Sequence, residues 1–242
     1  MIPEKPLMNN DFEILQWDSD FFNFKVAKIK NDVLLKGDFF EKLYKENVQL
    51  AYYSSKTKLT ETSNEYYNLN LVDEKITFLK EIEISSLMSK TESYLEKYPG
   101  KKLIELAIES GIYSRFNVDP KIGRKKFEEL YTQWIIKSVS KEIADDVLVY
   151  KIDDQIAGFV TVGQKNGRAD IGIIAVDKSN RGKGIGKTLM KAAENFYFNK
   201  LKLIQVVTQG DNLPAIKLYT SCGYKQETTE YFYHLWKKAI TQ

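Results

Sequence analysis

The sequence has few of the residues that build disulfide frameworks and metal sites. It contains one cysteine and one histidine among 242 residues. A single cysteine excludes an internal disulfide, and a single histidine argues against a histidine-based zinc site. A serine–histidine–aspartate triad would have to use His234. The composition therefore predicts chemistry without a bound metal.

Excess charge and long apolar runs are also missing. The 36 Lys and Arg residues are matched by 33 Asp and Glu, and the lysines are spread along the chain. A nucleic-acid-binding protein would cluster its cations, so no nucleic-acid partner is predicted. No apolar run approaches the ~18 residues of a membrane span, and the N-terminal residues contain no apolar stretch typical of a signal peptide. We therefore expect no membrane association and a cytoplasmic location.

The first part of the chain predicts a small α/β unit. Residues 39–46 have apolar positions at helical spacing, whereas residues 48–55 and 66–82 read as strands. A Ser-, Thr- and Lys-rich stretch follows and ends at Pro99-Gly100. We therefore expect an N-terminal domain with a linker over residues 1–98.

The second part, residues 99–242, has a clearer order of elements. Two predicted helices precede three strands, and helix, strand, helix and strand follow. Asp153-Asp154 and Asn166-Gly167 predict the hairpin turns between the three strands. This order predicts one α/β domain that covers the rest of the chain.

Residues 176–190, VDKSNRGKGIGKTLM, form a glycine-rich, cationic turn between a predicted strand and a predicted helix. Free backbone N–H groups at such a helix start bind phosphate. The turn is not a Walker A loop, because Arg181 occupies the first glycine position. It is not the dinucleotide fingerprint either, because Lys187 occupies the third. A glycine-rich helix start without any ligand is the alternative.

Two motifs in this part resemble those of the GNAT acyltransferases. The first is Arg181-x-x-Gly184-Ile185-Gly186, and the second is Asn212-x-x-Ala215-x-x-x-Tyr219-x-x-x-Gly223-Tyr224. The order of elements is also that of the GNAT fold. The resemblance implies a mixed, mostly antiparallel central sheet, splayed at the coenzyme A site and flanked by helices. Here the small α/β N-terminal domain would precede it.

The resemblance further implies acetyl-CoA as cosubstrate and assigns residues to it. The backbone of Ile174, Ala175 and Val176 would pair with the pantetheine arm, which Asn212 would also contact. Tyr219 would be the catalytic residue that assists the leaving thiolate; the alternative is an aromatic residue packed in the core. The pyrophosphate loop would comprise Arg181, Gly182, Lys183, Gly184, Ile185, Gly186 and Lys187.

A narrower resemblance points to the TDP-fucosamine acetyltransferases, which acylate a nucleotide-linked 4-amino-4,6-dideoxygalactose. It rests on WDSDFFNFKVAKI, YSRFNVDP, YTQWI and TQGDN, and it suggests a homodimer. Tyr113, Arg115 and Phe116 are then candidates for binding a nucleotide amino sugar, with a plain surface loop as the alternative. Leu218 is a departure from a member of that family in which a cation precedes the catalytic tyrosine.

Some alternatives stay open at this point. No general base is evident: Asp170, Asp211 or a relay of waters could serve, and His234 fits a structural role better. The acceptor could be a free amino sugar, an antibiotic or a protein N-terminus instead of a nucleotide sugar. A non-catalytic sensor of acyl-CoA is the remaining reading, which the presence of Tyr219 and Asn212 disfavours.

Overall fold

The computed structural model describes residues 11–30, 33, 35, 37–83 and 90–239. The described chain divides into two compact units. Unit 1 holds the described residues up to Glu74 and those from Glu230 onward, and unit 2 spans Lys75–Thr229. Unit 2 begins at Lys75, and the chain returns to unit 1 at Glu230. The predicted domain boundary between residues 98 and 99 stays a prediction. Part of the predicted linker, residues 84–89, lies outside the described residues.

Unit 1 is a small sheet with two helices. Its elements are β1 (Phe12–Ile14), α1 (Gln16–Phe22), β2 (Val26–Ile29), α2 (Gly37–Lys45), β3 (Leu50–Ser55), the start of β4 (Tyr67–Glu81) and the end of β10 (Lys225–Lys237). β1 and β2 are antiparallel, β2 and β3 are parallel, and β3 pairs antiparallel with residues 231–236. Phe40, Leu43 and Tyr67 are buried in its core, where the Tyr67 hydroxyl donates to the Val48 carbonyl at 2.9 Å.

Unit 2 contains the larger number of strands, which pair side by side. Its further elements are β5 (Thr91–Ser93), α3 (Lys101–Ser110), α4 (Arg115–Val118), α5 (Arg124–Val139), β6 (Asp146–Ile152), β7 (Gln155–Lys165), β8 (Arg168–Val176), α6 (Ile185–Tyr197), β9 (Leu203–Gln209) and α7 (Leu213–Ser221). The strand order within this unit is β4-β9-β8-β7-β6-β5. Only β8 and β9 are parallel; the other neighbouring strands run antiparallel. The predicted mixed, mostly antiparallel sheet is confirmed.

Helices cover both faces of this sheet because its side chains alternate between faces. On one face, Val147, Val149 and Phe159 pack with residues of α3 and α5. On the other, Leu148 and Val160 pack with residues of α6 and α7. No helix in the described part of the chain is long and apolar enough to cross a membrane.

Both predicted hairpin turns are present. Asp153 and Asp154 have φ of 47° and 60°, and Asn166 and Gly167 have φ of 53° and 74°. Positive φ at both central residues is the geometry that matches the twist of paired strands. The α6 helix begins at Ile185, and β10 begins at Lys225. Between α3 and α5 the chain forms the one-turn helix α4.

Candidate active site

Strands β8 and β9 separate along their length. They pair from Ala169 opposite Ile204 to Ile171 opposite Val206, and no pairing continues beyond. Each strand nevertheless stays paired on its other side, as far as Val176 with β7 and as far as Gln209 with β4. The gap between them is therefore a true splay of the sheet. It leaves a length of β8 backbone that can accept a ligand as an added strand.

The direction of the β8 amides follows from one hydrogen bond. The Asp177 N–H donates to the Ala157 carbonyl at 2.9 Å, so Asp177 faces β7. Backbone groups alternate along a strand, so Val176 and Ile174 face the gap, whereas Ala175 faces β7. The Ile173 N–H fits this alternation, because it donates towards β7, to the Thr161 hydroxyl at 2.8 Å. Three residues were predicted to pair with the pantetheine arm. Two of them, Ile174 and Val176, therefore present their backbone groups to the gap.

The glycine-rich loop leads from the end of β8 into α6. Lys178–Asn180 form a short 3-10 helix that the Asp177 side chain caps at the Ser179 N–H. Gly182 and Gly184 have φ of 78° and 81°, a conformation that glycine adopts without steric cost. Gly184 is the N-cap of α6, and the first turn of that helix has backbone N–H groups without helical partners. The loop thus presents a set of donors suited to an anion.

The cations of this loop differ in their surroundings. Arg181 donates through Nη2 to Glu109 Oε1 at 2.6 Å and through Nε to the Val176 carbonyl at 3.2 Å. Lys183 donates to Asn180 Oδ1 at 2.8 Å. Lys187 is exposed at the start of α6. Of the three, Arg181 is held closest to the strand edge.

Helix α7 brings the second motif to the same place. Asn212 caps the helix by accepting from the Ala215 N–H at 3.3 Å, which leaves its side-chain N–H groups for a ligand. Pro214 lies in the first turn, where a missing N–H costs nothing. Tyr219 is 3% exposed, with its ring 5.8 Å from that of Phe78. Burial raises the pKa of the Tyr219 hydroxyl above its ordinary value, so it keeps its proton.

One cavity of about 860 Å³ joins these features. Its walls include Ile174, Ala175 and Val176 of β8, Val206 to Gln209 of β9, and both Asn212 and Tyr219. The loop contributes Arg181, Gly182, Gly184, Ile185, Gly186 and Lys187. Among the predicted cofactor-binding residues, Lys183 alone does not line it. The structure thus brings the two sequence motifs together around a single space.

The end of α3 and the side of α5 form another wall, which we call the aromatic corner: Tyr113, Tyr131 and Trp134. The Tyr131 and Trp134 rings lie 4.8 Å apart between centroids. Tyr113 is the predicted acceptor residue that lines the cavity, whereas Arg115 and Phe116 do not line it. The Phe116 ring instead packs on Trp134 and beneath the Arg115 guanidinium. Sequence reasoning missed Tyr131 and Trp134 because they read as part of an ordinary apolar helix face.

The residues considered as general bases lie elsewhere. Neither Asp170 nor Asp211 lines the cavity, and Asp170 accepts a hydrogen bond from Gln205 at 2.7 Å. His234 is buried in unit 1 with its ring 5.1 Å from that of Tyr52. The carboxylate that does line the cavity is Glu109, which no sequence motif marks. Among the described residues, no cluster of three or more His, Cys, Asp or Glu could hold a metal ion.

The comparisons with known proteins agree with this geometry. The acetyltransferase (GNAT) family model matches residues 109–224. An uncharacterised N-acetyltransferase of Methanocaldococcus jannaschii is 30% identical over 106 residues, which are 43% of this chain and 68% of that protein. The spore coat polysaccharide biosynthesis protein SpsD of Bacillus subtilis is 26% identical over 157 residues, 62% of this chain and 54% of SpsD. The dTDP-fucosamine acetyltransferase of Escherichia coli O6:H1 is 30% identical over 133 residues, 54% of this chain and 56% of that enzyme.

The chain thus spans about half the length of SpsD and of the dTDP-fucosamine acetyltransferase. A solved structure of a functionally unknown conserved protein from Staphylococcus epidermidis superposes with a TM-score of 0.63. It covers 97% of this chain and 94% of its own at 13% identity, a likeness of fold alone. The splayed sheet, the matched family model and the relatives lead to one conclusion: the chain belongs to the GNAT acetyltransferase family.

Proposed function

We propose that this protein transfers an acetyl group from acetyl-CoA to the amine of a nucleotide-activated amino-deoxysugar of the dTDP-4-amino-4,6-dideoxygalactose type. One observation carries the proposal: a single cavity connects the splayed edge of β8, the N-terminus of α6 and Tyr219 with the aromatic corner. A donor and an acceptor could therefore meet in it without a covalent enzyme intermediate.

The residues present fit coenzyme A. Its pantetheine amides would pair with the Ile174 and Val176 backbone groups that face the gap, and the Asn212 side-chain N–H groups would add a contact. Its pyrophosphate would lie on the N–H groups at the start of α6, where the helix dipole also favours negative charge. Arg181, Lys183 and Lys187 would supply positive charge around it. The acetyl thioester brings the electrophilic carbonyl to this site.

The chain's own groups would then assist acyl transfer. The Ile174 N–H faces the gap on the side of Val176 away from the glycine-rich loop, where it could donate to the thioester carbonyl oxygen and stabilise the charge that develops there. The Tyr219 hydroxyl could donate to the departing sulfur. Because burial raises the pKa of Tyr219, a hydrogen bond to the thiolate is favoured over full proton transfer.

The assignment of the acceptor depends on the charged and aromatic residues that line the cavity. Besides Arg181 and Lys187, which are assigned to coenzyme A, the cavity lining contains the cation Lys217 and one carboxylate, Glu109. A further cation suits an acceptor that brings its own phosphates, and aromatic rings suit a sugar or a base. The similarity to SpsD and to the dTDP-fucosamine acetyltransferase supports the same class. Arg115 and Phe116 as acceptor residues, and a homodimer, stay predictions.

A thiol-release assay with acetyl-CoA tests this function. The acceptor panel would hold TDP-4-amino and TDP-3-amino dideoxysugars, the matching free sugars and an N-terminal peptide. We expect release with a TDP-amino sugar and none with its free sugar. Release with the peptide alone, or equally with free and nucleotide-linked sugars, would overturn the nucleotide-sugar assignment.

A further inference from the structure

Acyl transfer to an amine needs a proton acceptor inside the site. Aliphatic amines are largely protonated near pH 7, since the reference pKa values run from about 7.7 for α-amino groups to about 10.4 for lysine. An ammonium group has no lone pair and cannot attack a carbonyl. Among the residues that line the cavity, Glu109 is the one Asp or Glu. It lies in the last turn of α3, and its side chain is 19% exposed.

The two oxygens of this carboxylate have different surroundings. Oε1 accepts from Arg181 Nη2 at 2.6 Å and lies 3.3 Å from Lys178 Nζ. Oε2 receives no hydrogen bond from any residue that the structure describes. One oxygen therefore fixes the position of the group, while the other stays available to a ligand in the cavity.

The position of Glu109 is also suitable. Arg181, which holds Oε1, bonds through Nε to the carbonyl of Val176, one of the residues that face the gap. Ser110 and Ile112, which follow Glu109, also line the cavity, as does Tyr113 of the aromatic corner. Glu109 thus lines the same cavity as the strand edge proposed for the donor and the wall proposed for the acceptor.

We propose that Glu109 is the catalytic base that removes a proton from the acceptor's ammonium group, an inference that rests on the proposed amine acetylation. Oε2 takes one proton, and the neutral nitrogen attacks the thioester carbonyl carbon. The C–N bond forms and the C–S bond breaks. The second proton lost by the nitrogen ends on the sulfur, which Tyr219 stabilises. The products are an amide, a thiol and one proton on Glu109, which passes to solvent.

Glu109→Gln tests the assignment, and Glu105→Gln is its matched control. Glu105 lies one turn earlier on α3, is 53% exposed and is 3.9 Å from Lys101. With TDP-4-amino-4,6-dideoxygalactose at pH 7, we expect E109Q to lose roughly 100-fold or more in kcat/KM, the usual contribution of a general base. E105Q should match the wild type. An E109Q activity within about 3-fold of the wild type would overturn the inference, because a base is worth far more.

The pH dependence separates a base from a merely structural residue. In E109Q only the neutral amine can react, so log kcat/KM should rise with unit slope from pH 6 up to the pKa of the acceptor amine. The gap between variant and wild type should therefore close as the pH rises. A defect of constant size across this range would show a structural role and overturn the assignment.

A binding measurement supplies a readout that does not depend on turnover. By calorimetry, E109Q should bind acetyl-CoA within about 3-fold of the wild type, because Arg181 and Lys178 are retained. With coenzyme A itself present, so that no acetyl group can move, E109Q should bind the amino sugar several-fold more weakly than E105Q does. Unchanged amino-sugar binding in that complex would contradict a contact between Glu109 and the amine.

Failure of the proposed function can be told apart from failure of this inference. If the wild type acetylates a free sugar or the peptide instead, the nucleotide-sugar assignment falls, and the same variants are compared on that amine. If the wild type binds acetyl-CoA and acetylates no amine of the panel, both are overturned.

Discussion

Gly111 lies flat against the ring of Tyr131. A Cβ added at Gly111 would be 2.2 Å from Tyr131 Cζ and 2.5 and 2.6 Å from two further ring carbons. The ring has little room to move, because it is 8% exposed and its centroid lies 4.9 Å from that of Phe127 and 4.8 Å from that of Trp134. This contact fixes the turn after α3 on α5, and with it the aromatic corner.

Gly111→Ala should therefore damage the acceptor wall more than the donor site. The added methyl group has to displace the Tyr131 ring, and overpacking of this kind typically costs about 1–3 kcal/mol. We expect that loss of stability in urea unfolding, together with a raised KM for the acceptor. The affinity for acetyl-CoA should change little, because the loop and the β8 edge are untouched.

Gly163→Ala is the control for this change. A Cβ there would meet only ordinary contacts at 3.7 Å. In the background of Tyr131→Leu, the effect of Gly111→Ala should shrink, since contacting residues couple. Full additivity of the two substitutions would show that the ring is not the cause.

Gly111 also shows how much of a residue's role can be predicted from the sequence around it. A glycine at this position is an ordinary signal for the end of a helix, and α3 does end at Ser110. Its φ of −89° needs no glycine, however, so the requirement comes from a ring twenty residues later. A stop signal is local, whereas a close approach between two helices depends on the tertiary fold.

The same distinction between local signals and tertiary contacts applies to the residues of the candidate site. The loop with Gly182 and Gly184 and the α7 motif with Tyr219 could be read from the sequence, because each is one short stretch with fixed chemistry. Glu109 and Trp134 could not, because each is an ordinary position on a helix until α3 and α5 pack on the sheet. Which amides of β8 face the gap likewise depends on its pairing with β7.

Leu218 is a further residue whose role depends on the tertiary fold. A Cβ added at Gly186 on α6 would lie 3.1 Å from Leu218 Cδ2, so the two helices meet closely there. Where a member of the narrower family has a cation, this chain has an apolar side chain packed on the first turn of α6. Leu218 therefore packs against Gly186 in this chain.

The alternation along β8 makes a prediction for hydrogen exchange. The amides of Ile174 and Val176 face the gap, so they should exchange faster than that of Ala175, which faces β7. Saturating coenzyme A should protect the first two and leave Ala175 unchanged, because a ligand strand would occupy their donors. Residue-resolved exchange by NMR measures this. Equal protection of all three amides would contradict the strand-addition mode.

Tyr219→Phe should separate binding from catalysis. Without the hydroxyl, the thiolate loses its donor, so kcat should fall roughly 100-fold while acetyl-CoA binds within about 3-fold. Tyr224→Phe is the control, since this neighbouring ring is buried but does not line the cavity. A loss of kcat in both variants alike would indicate a packing effect.

The raised pKa of Tyr219 also predicts how kcat and stability depend on alkaline pH. Burial places its folded-state pKa above the ordinary value of about 10. The hydroxyl should therefore stay protonated in the folded enzyme up to pH 10, and Tyr219 should cause no fall in kcat between pH 8 and 10. Its contribution to stability is complete below about pH 10 and is lost as the pH rises above it. An alkaline fall in kcat that Tyr219→Phe removes would contradict this.

The ion pair between Lys102 and Asp177 joins α3 to the start of the glycine-rich loop. Lys102, and then Ser179, hold the pKa of Asp177 well below its ordinary range. A lowered pKa stabilises the folded state above the ordinary pKa of about 3.9, and this contribution is lost as the pH falls below it. Asp177→Asn should therefore weaken acetyl-CoA binding at pH 7 by loosening the loop, and should flatten the acid side of the stability profile. Lys102→Met should have a similar effect, and the double variant should add little, whereas additive losses would rule out a direct pair.

Glu194 is a fully buried carboxylate that ties α6 to β4. Both of its oxygens accept from Lys80 Nζ at 2.9 Å, and Lys191 Nζ lies 3.0 Å away. Glu194→Gln would leave the Lys80 ammonium, 12% exposed, without its counter-charge, so we expect a loss of about 3 kcal/mol or more in urea unfolding. Lys191→Met should cost less, because that side chain is 35% exposed and Lys80 keeps its partner.

Replacing the pair together, as Lys80→Met with Glu194→Leu, removes both charges and should be milder than Glu194→Gln alone. A double variant less stable than Glu194→Gln would mean that the pair itself, and not the uncompensated charge, supplies the stability.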